Sequence, residues 1–408
     1  DTSWEVVVLL LERYPEAAKA KESYGKTPLT LLLELGAPLE VVSLLLSSCP
    51  DAAKNIDKEG VTPLHTACGN GRPLEVVSLL LNIWPDALRI KDKYGATPLF
   101  RACENETSLD VVSLLLNNWP DASREKDRFG RTPLLAACGS GAPLEVVSLI
   151  LNSWPDAARE KGKFGRYAKT ILHIACENGA SLDVVALILS SWPDATRELD
   201  RFGRTPLHTA CTKGSPLEII SLLLKIWPNA SKAKTVYGFT PLHTACTKGA
   251  PLEVISLLLS SWPDASKEKD LNGKIPLHRA FSERTQLEVI ILLLDKWLEN
   301  AENRNSHDVE SLTRNASKDS RNLLSHVSAL YNDDINSPSP NDIVNFFINV
   351  KWWNGVLLVI NRYPTVTKTM DLNTNVKADF ISVIGKTCGI KTTWDVIRNE
   401  QELLKDLQ

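Results

Sequence analysis

A period of 35 residues is the feature that most restricts how this chain can fold. Six cysteines recur with steps of 35, 35, 38, 35 and 35 residues, at Cys68, Cys103, Cys138, Cys176, Cys211 and Cys246. Spacing this regular indicates a repeated structural unit rather than a disulfide framework. Equivalent atoms in stacked helical units lie about 8–10 Å apart, beyond the roughly 7 Å limit for a disulfide. We therefore expect buried thiols in a reducing compartment.

Glycine and tryptophan follow the same period. A turn glycine stands at Gly25, Gly60, Gly95, Gly130, Gly165, Gly203, Gly238 and Gly273. A second position is filled by Tyr14, Cys49, Trp84, Trp119, Trp154, Trp192, Trp227, Trp262 and Trp297. Both series contain one step of 38 residues, so three residues are inserted once in the array. The tryptophans follow predicted helices, and we expect them to pack between adjacent units.

Each unit predicts two helices. Gly95 permits a turn with positive φ, Thr97 suits an N-cap, and Pro98 suits the first helical position. The second helix is clearest over residues 73–84, because Pro85 prevents its continuation. This helix is apolar on most of its surface and must be buried on several sides. A single unit cannot cover itself, so neighbours are needed on both sides.

These motifs resemble the ankyrin repeat family. The motif Asp-x-x-Gly-x-Thr-Pro-Leu-His-x-Ala-Cys stands at 200–211, with close variants at 57–68, 92–103 and 127–138. Leu-Glu-Val-Val-x-Leu-Leu-Leu follows at 39–46 and 74–81. The longer unit, with its Trp-Pro-Asp-Ala connection, is similar to arrays expanded in some microalgae. The resemblance implies an all-α solenoid of helix-turn-helix units, whose turn tips and first helices form a concave face for protein partners.

The sequence predicts three regions. Residues 1–298 are expected to form the repeat array, with a partial first repeat and eight further units, the last of them degraded. Residues 299–340 are rich in Asn, Ser, Asp and Arg, which predicts a flexible polar linker with a short helix near 323–330. Residues 341–408 are expected to form a small helical region, either a divergent cap or a separate module. Helices are expected there at 342–350, 353–362, 376–386 and 394–407.

Charge and hydropathy argue against two classes of partner. The net charge is −3, and acidic residues interrupt the basic ones in every repeat, so we expect no nucleic-acid partner. No apolar run approaches the roughly 18 residues of a membrane span, so we expect no membrane association. The chain starts at Asp1 and has one methionine, Met370, so we expect a fragment whose targeting signal is not visible. A cytoplasmic or nuclear protein is expected.

The recurring histidines resemble candidate ligands or bases, but their period favours a structural role. His65, His173, His208, His243 and His278 occupy one repeat position. The resemblance implies that they make hydrogen bonds that brace the turns. Zinc needs about four ligands, and nucleophilic catalysis needs an activated thiol with an orienting group. We therefore expect no catalytic residue, no metal, no cofactor and no enzymatic activity.

Partner contacts are expected where the units differ from one another. Aromatic residues precede most turn glycines; they are either exposed anchors or covers for the neighbouring turn. The insertion at 167–169 lengthens one tip, through either neutral drift or function. The candidate contacts are Tyr94, Phe129, Arg131, Phe164, Arg166, Tyr167, Lys169, Phe202, Arg204 and Tyr237. The cations near the tips suggest an acidic or phosphorylated partner.

Three functions follow from these observations. The leading prediction is a non-enzymatic scaffold or adaptor that binds a protein partner on the concave face. The alternative is the regulatory ankyrin portion of a larger enzyme or channel whose active domain lies upstream of residue 1. A catalytic C-terminal module would require Cys388 as its nucleophile, and the sequence places no base near it.

Overall fold

The protein is all-α in the ranges that the computed structural model describes, which are 2–105, 108–162, 169–281, 285–312, 316–332 and 338–368. These ranges contain 21 α-helices, and their β-pairing is limited to one antiparallel bridge between Lys161 and Thr170. The helices belong to two compact units, residues 1–237 and 238–408. The predicted fold class is confirmed.

The first unit alternates short and longer helices. Its first helices are α2 (Pro28–Leu35), α4 (Pro63–Gly69), α6 (Pro98–Glu104), α8 (Pro133–Ser140), α10 (Ile171–Glu177) and α12 (Pro206–Lys213). Its second helices are α1 (Thr2–Arg13), α3 (Leu39–Ser48), α5 (Leu74–Ile83), α7 (Leu109–Asn118), α9 (Leu144–Ser153), α11 (Leu182–Ser191) and α13 (Leu217–Ile226). A five-residue 3₁₀ helix follows each second helix. Each repeat is therefore one helix pair with its connections.

Local sequence explains the ends of these helices. The hydroxyl of Thr62 accepts the backbone N–H of His65 at 3.3 Å, which satisfies one free amide of the first turn. Pro63 fills the first helical position, where no amide donor is needed. The second helix α5 starts one residue after the predicted proline and ends at Ile83, before the 3₁₀ helix that begins at Pro85. The predicted helix-turn-helix unit is confirmed.

The tryptophans after the second helices are only partly buried. Trp84, Trp119 and Trp154 are half-buried, and their proline neighbours are exposed. The guanidinium carbon of Arg89 lies 5.9 Å from the ring centroid of Trp119 in the next repeat. The indole of Trp119 therefore lies at a repeat junction without being fully buried.

The second unit continues the same pattern with irregular members. Its helices are α14 (Pro241–Lys248), α15 (Leu252–Ser261), α16 (Pro276–Ala280), α17 (Leu287–Leu298), α18 (Ser306–Leu312), α19 (Lys318–Leu330), α20 (Pro340–Asn349) and α21 (Trp353–Arg362). Helix α16 has only five residues, and Ile275 at its N-cap makes no side-chain cap. Among the described residues, Nδ1 of His278 is therefore buried without a hydrogen-bond partner. The repeat predicted to be degraded therefore has a shortened first helix and no side-chain cap.

The stretch expected to be a polar linker differs from that expectation. Its described part contains α18 and α19, and Leu323, Leu324 and Val327 of α19 are completely buried. These leucines and Val327 lie on one face of the helix, at spacings of one, three and four residues. Polar residues on the opposite face dominate the composition of this segment, so its apolar periodicity is weak in the sequence. The short helix expected near 323–330 is therefore part of a longer packed helix.

Helices α20 and α21 lie where the C-terminal helical region is expected to begin. The Nε1–H of Trp352 donates to Oδ1 of Asp295 at 2.6 Å, and Nδ2 of Asn354 donates to Oδ2 at 2.9 Å. The start of α21 is therefore joined to α17 of the last repeat. The further expected helices at 376–386 and 394–407, together with Cys388, lie outside the described residues. Among the described helices, none combines the length and hydropathy required to span a bilayer.

Candidate protein-binding site

A buried aspartate organises the turn before four first helices of the first unit, at Asp57, Asp92, Asp127 and Asp200. Oδ1 of Asp127 accepts the backbone N–H of Phe129 at 2.9 Å and that of Arg131 at 2.8 Å. Gly130 closes the turn with a φ of 75°, a conformation that favours glycine. Only 1% of the Asp127 side chain is exposed. This inward carboxylate fixes the turn and needs a cation to balance its charge.

Arg131 and Arg204, which the sequence analysis assigns to partner binding, supply that cation. Nε of Arg131 donates to Oδ2 of Asp127 at 2.7 Å, and Nε of Arg204 donates to Oδ2 of Asp200 at 2.8 Å. Burial alone would raise the pKa of Asp200, but hydrogen bonds from Arg204 and Phe202 hold it below its usual value. Both arginines therefore have a structural role in their turns.

The aromatic residues at the turn tips are covered by arginines. Tyr94, Phe129 and Phe202 are half-buried. The guanidinium carbon of Arg128 lies 4.5 Å from the ring centroid of Tyr94 and 4.7 Å from that of Phe129. Arg201 lies 4.4 Å from the ring centroid of Phe202. Rings and arginine side chains therefore alternate along the turn tips of these repeats.

Tyr237 and Lys169 are the other candidate contacts that lie within the described residues. Tyr237, at the end of the first unit, is 57% exposed. Lys169 is the last residue of the insertion, and its Nζ donates to Oε2 of Glu177. Phe164, Arg166 and Tyr167 lie outside the described residues. Of the described candidates, only Arg131 and Lys169 come to one cavity.

A cavity of about 330 Å³ opens on the first helices of the first unit, and we call it the α8 cavity. Its lining includes Leu135, Ala136 and Ile174, which are apolar, and Gly139 of α8. Residue differences between neighbouring repeats create it. The position of Ala136 carries Arg101 in α6 and Ile174 in α10, and the position of Gly139 carries Glu104 and Glu177. A Cβ on Gly139 would meet no atom within 4 Å, so small residues in one repeat leave space between larger ones.

The rim of the α8 cavity carries paired charges. Nη2 of Arg131 lies 3.3 Å from Oε1 of Glu104 on one side. On the other side Glu177 pairs with Lys169, and Nζ of Lys213 lies 3.6 Å from its second oxygen. Burial would raise the pKa of Glu177, but the hydrogen bond and charge of Lys169 lower it below its usual value. The cavity thus combines an apolar lining with a rim whose charges are balanced.

Glu104, Gly139 and Glu177 were not predicted from the sequence as members of a site. None of these residues is unusual for its own repeat. Their role in the cavity becomes visible only when they are compared with the equivalent residues of neighbouring repeats. A column-by-column comparison of the repeats would have shown the signal, because Ala and Gly replace larger residues at two positions of one helix.

The histidines and cysteines belong to the frame. Nδ1 of His173 lies 2.8 Å from the hydroxyl of Thr170, and its Nε2 lies 2.9 Å from the carbonyl oxygen of Arg204. Burial raises the pKa of the Cys138 thiol to about 12, so this sulfur is protonated at neutral pH. In the ranges that the structure describes, no group of three or more His, Cys, Asp or Glu residues is placed to hold a metal ion.

Comparison with protein families agrees with this geometry. The family model for ankyrin repeats in three copies matches residues 2–87, 36–124, 74–159, 99–198, 144–232 and 172–271. The chain belongs to the ankyrin repeat family. Ankyrin repeats are protein-interaction modules, and this array is one of them.

A solved structure and the curated proteins give further comparisons. The chain is similar to the crystal structure of the ankyrin repeat domain of Bcl-3, described as a unique member of the IkappaB protein family. Sequence identity is 29%, the match covers 58% of this chain and 100% of that chain, and the TM-score is 0.44. Comparison with curated proteins gives no match.

Proposed function

We propose that this protein is a non-enzymatic scaffold or adaptor that binds a protein partner across the first helices and turn tips of residues 1–237, the concave face of its solenoid. The α8 cavity is the observation that carries the proposal. It lies on the first helices, and its lining residues depart from the repeated frame.

The cavity suits an uncharged, largely apolar side chain of a partner. Such a side chain would displace water from Leu135, Ala136 and Ile174. It would not separate a charge from its partner, because Arg131 and Lys169 already pair with Glu104 and Glu177. Anchors that fill a pocket, with a polar rim around them, dominate the affinity of many interfaces.

The frame supports a binding role rather than catalysis. Both ring nitrogens of His65 are occupied by contacts with Thr62 and Ala96. The thiols of Cys103 and Cys138 are buried, and their raised pKa values leave no thiolate nucleophile near neutral pH. We infer from these groups that the array recruits a partner without transforming it and needs no cofactor.

We also propose a cytoplasmic or nuclear location. The cysteines of the described ranges carry thiols rather than disulfides, and all of them are buried. A chain whose fold includes so many reduced thiols suits a reducing compartment.

Site-specific photo-crosslinking of the full chain tests the binding surface. Gly139 lies in the α8 cavity, whereas Asn152 is exposed on the second helix of the same repeat. A photoreactive p-benzoylphenylalanine is placed at one position or the other. We expect crosslinks to a protein partner from position 139 and none from position 152. Crosslinks only from position 152, or from neither position, would show that the first helices are not the binding surface.

A further inference from the structure

Arg128 and Arg201 differ from Arg131 and Arg204, the other two tip arginines among the described residues. Both are exposed, and neither forms an ion pair with any residue in the described part of the chain. The counterpart of Arg128 in the preceding repeat, Lys93, pairs with Glu59. Arg131 and Arg204, two residues after the aromatic ring, are tied to buried carboxylates.

The neighbouring aspartates do not neutralise these two cations. Asp127 and Asp200 precede Arg128 and Arg201 directly, but only 1% of each aspartate side chain is exposed. Their oxygens accept backbone amides of the turn and the guanidinium groups of Arg131 and Arg204. The turn therefore directs the carboxylate inward and leaves the adjacent arginine outside.

Aromatic rings hold the two exposed guanidinium groups in place. Arg128 lies between Tyr94 of the preceding repeat and Phe129, with its guanidinium carbon 4.5 and 4.7 Å from the ring centroids. Arg201 lies 4.4 Å from the ring centroid of Phe202. A guanidinium that stacks on a ring keeps its edge N–H groups free for the two oxygens of a carboxylate. Because the side chain is already restrained, less conformational entropy is lost when it binds.

We propose that Arg128 and Arg201 are two equivalent subsites for Asp or Glu side chains of an acidic peptide segment in the partner, an inference that rests on the proposed function. The charge of each guanidinium is unbalanced within the described residues, so a carboxylate complements it. The subsites are two repeats apart, about 16–20 Å at the usual helix-packing spacing. An extended peptide covers this distance in about five or six residues.

The inference refines the prediction of an acidic or phosphorylated partner. The tip cations chosen from the sequence included Arg131 and Arg204, whose guanidinium groups serve the turn itself. Arg128 and Arg201 carry the available charge instead.

Binding of a fluorescein-labelled ten-residue oligo-glutamate peptide to the full chain, followed by fluorescence anisotropy at low ionic strength, tests the proposal. We expect the double variant R128Q/R201Q to bind about three- to tenfold more weakly, since exposed ion pairs are individually modest. The double variant R124Q/R197Q is the matched control. It removes the same charge four residues earlier in the chain, where Arg124 and Arg197 lie on 3₁₀ helices beside Asp121 and Asp194.

Unchanged binding by R124Q/R197Q, and an intermediate loss in R128K/R201K, would support arginine subsites. Lysine keeps the positive charge but lacks the planar guanidinium. The R128K/R201K variant therefore tests the proposal even if the glutamine variants melt at a lower temperature. No binding of oligo-glutamate, or equal loss in the control, would overturn the proposal. Tighter, arginine-dependent binding of an oligo-phosphoserine peptide or of a ten-nucleotide oligo-dT would overturn the choice of carboxylates. None of these outcomes affects crosslinking from position 139, which tests the binding surface itself.

Discussion

Nε2 of His65 lies 3.0 Å from the carbonyl oxygen of Ala96 in the next repeat. A carbonyl only accepts hydrogen bonds, so Nε2 carries the proton and donates. Nδ1 is then the acceptor, and it receives the backbone N–H of Thr62 at 3.3 Å and the hydroxyl of Thr62 at 2.8 Å. The geometry therefore selects one neutral tautomer, and protonation of Nδ1 would place it against two donors.

This relationship predicts that acid weakens the array. Burial lowers the pKa values of His65 and His173 below the ordinary value of about 6.5. Below about pH 6.5 these histidines therefore bind protons more readily in the unfolded chain than in the folded chain. Their contribution to the free energy of unfolding is complete above about pH 6.5 and declines as the pH falls below it. We expect the free energy of unfolding, measured with urea, to fall between pH 7 and pH 5.5.

The double variant H65Q/H173Q separates this effect from the titration of carboxylates. We expect its free energy of unfolding to be lower at pH 7 and to vary less with pH over the same interval. An identical pH dependence in the variant and the wild-type protein would contradict the assignment to these histidines.

The N-cap hydroxyl of Thr62 should contribute measurably to stability. Thr62→Val removes the acceptor of the His65 amide and the donor to its Nδ1 while keeping the shape of the side chain. We expect a loss of about 1 kcal/mol, the usual cost of an N-cap. Thr66→Val is the control in the same helix, because the hydroxyl of Thr66 reaches only the carbonyl of Thr62 at 3.4 Å. Urea denaturation of both variants gives the two changes in the free energy of unfolding. Equal losses in the two variants would contradict a specific role for the N-cap hydroxyl.

Arg131 and Arg128 should have opposite roles. Arg131→Ala leaves the buried Asp127 carboxylate without its cation, so we expect a loss of about 1–3 kcal/mol in the free energy of unfolding. Arg128→Ala should change stability by less than about 0.5 kcal/mol, because its side chain is exposed and makes no ion pair with the described residues. Thermal or urea denaturation gives both values. A larger loss for Arg128→Ala would contradict the assignment of Arg131 to the turn.

Two helical glycines should respond in opposite directions to alanine. A Cβ on Gly355 would overlap Cε3 of Trp352, and that indole is 1% exposed and hydrogen-bonded to Asp295. We expect Gly355→Ala to cost about 1–3 kcal/mol through overpacking. Gly139→Ala should instead stabilise by about 0.5–1 kcal/mol, because α8 gains a better helix former in open space. Denaturation curves of the two variants test this. Destabilisation by Gly139→Ala would contradict the open space that the structure shows beside Gly139.

The repeat frame was predictable because its causes are local. Thr62, Pro63 and Gly60 determine a turn and a helix start through contacts within a few residues, and the apolar period of α5 predicts its buried face. Because this unit recurs every 35 residues, the sequence also predicts that the units form an array.

The tertiary structure decided which residues of that frame are available. Whether Arg128 or Arg131 faces solvent depends on the direction of one turn, and the α8 cavity depends on Gly139 lying beside Glu104 and Glu177 of other repeats. The contact between Asp295 and Trp352 joins residues 57 positions apart. Local hydrogen bonds and periodicity depend on residues that are close in the sequence. The cavity and the unbalanced charges depend on residues that are distant in the sequence and come together only in the folded chain.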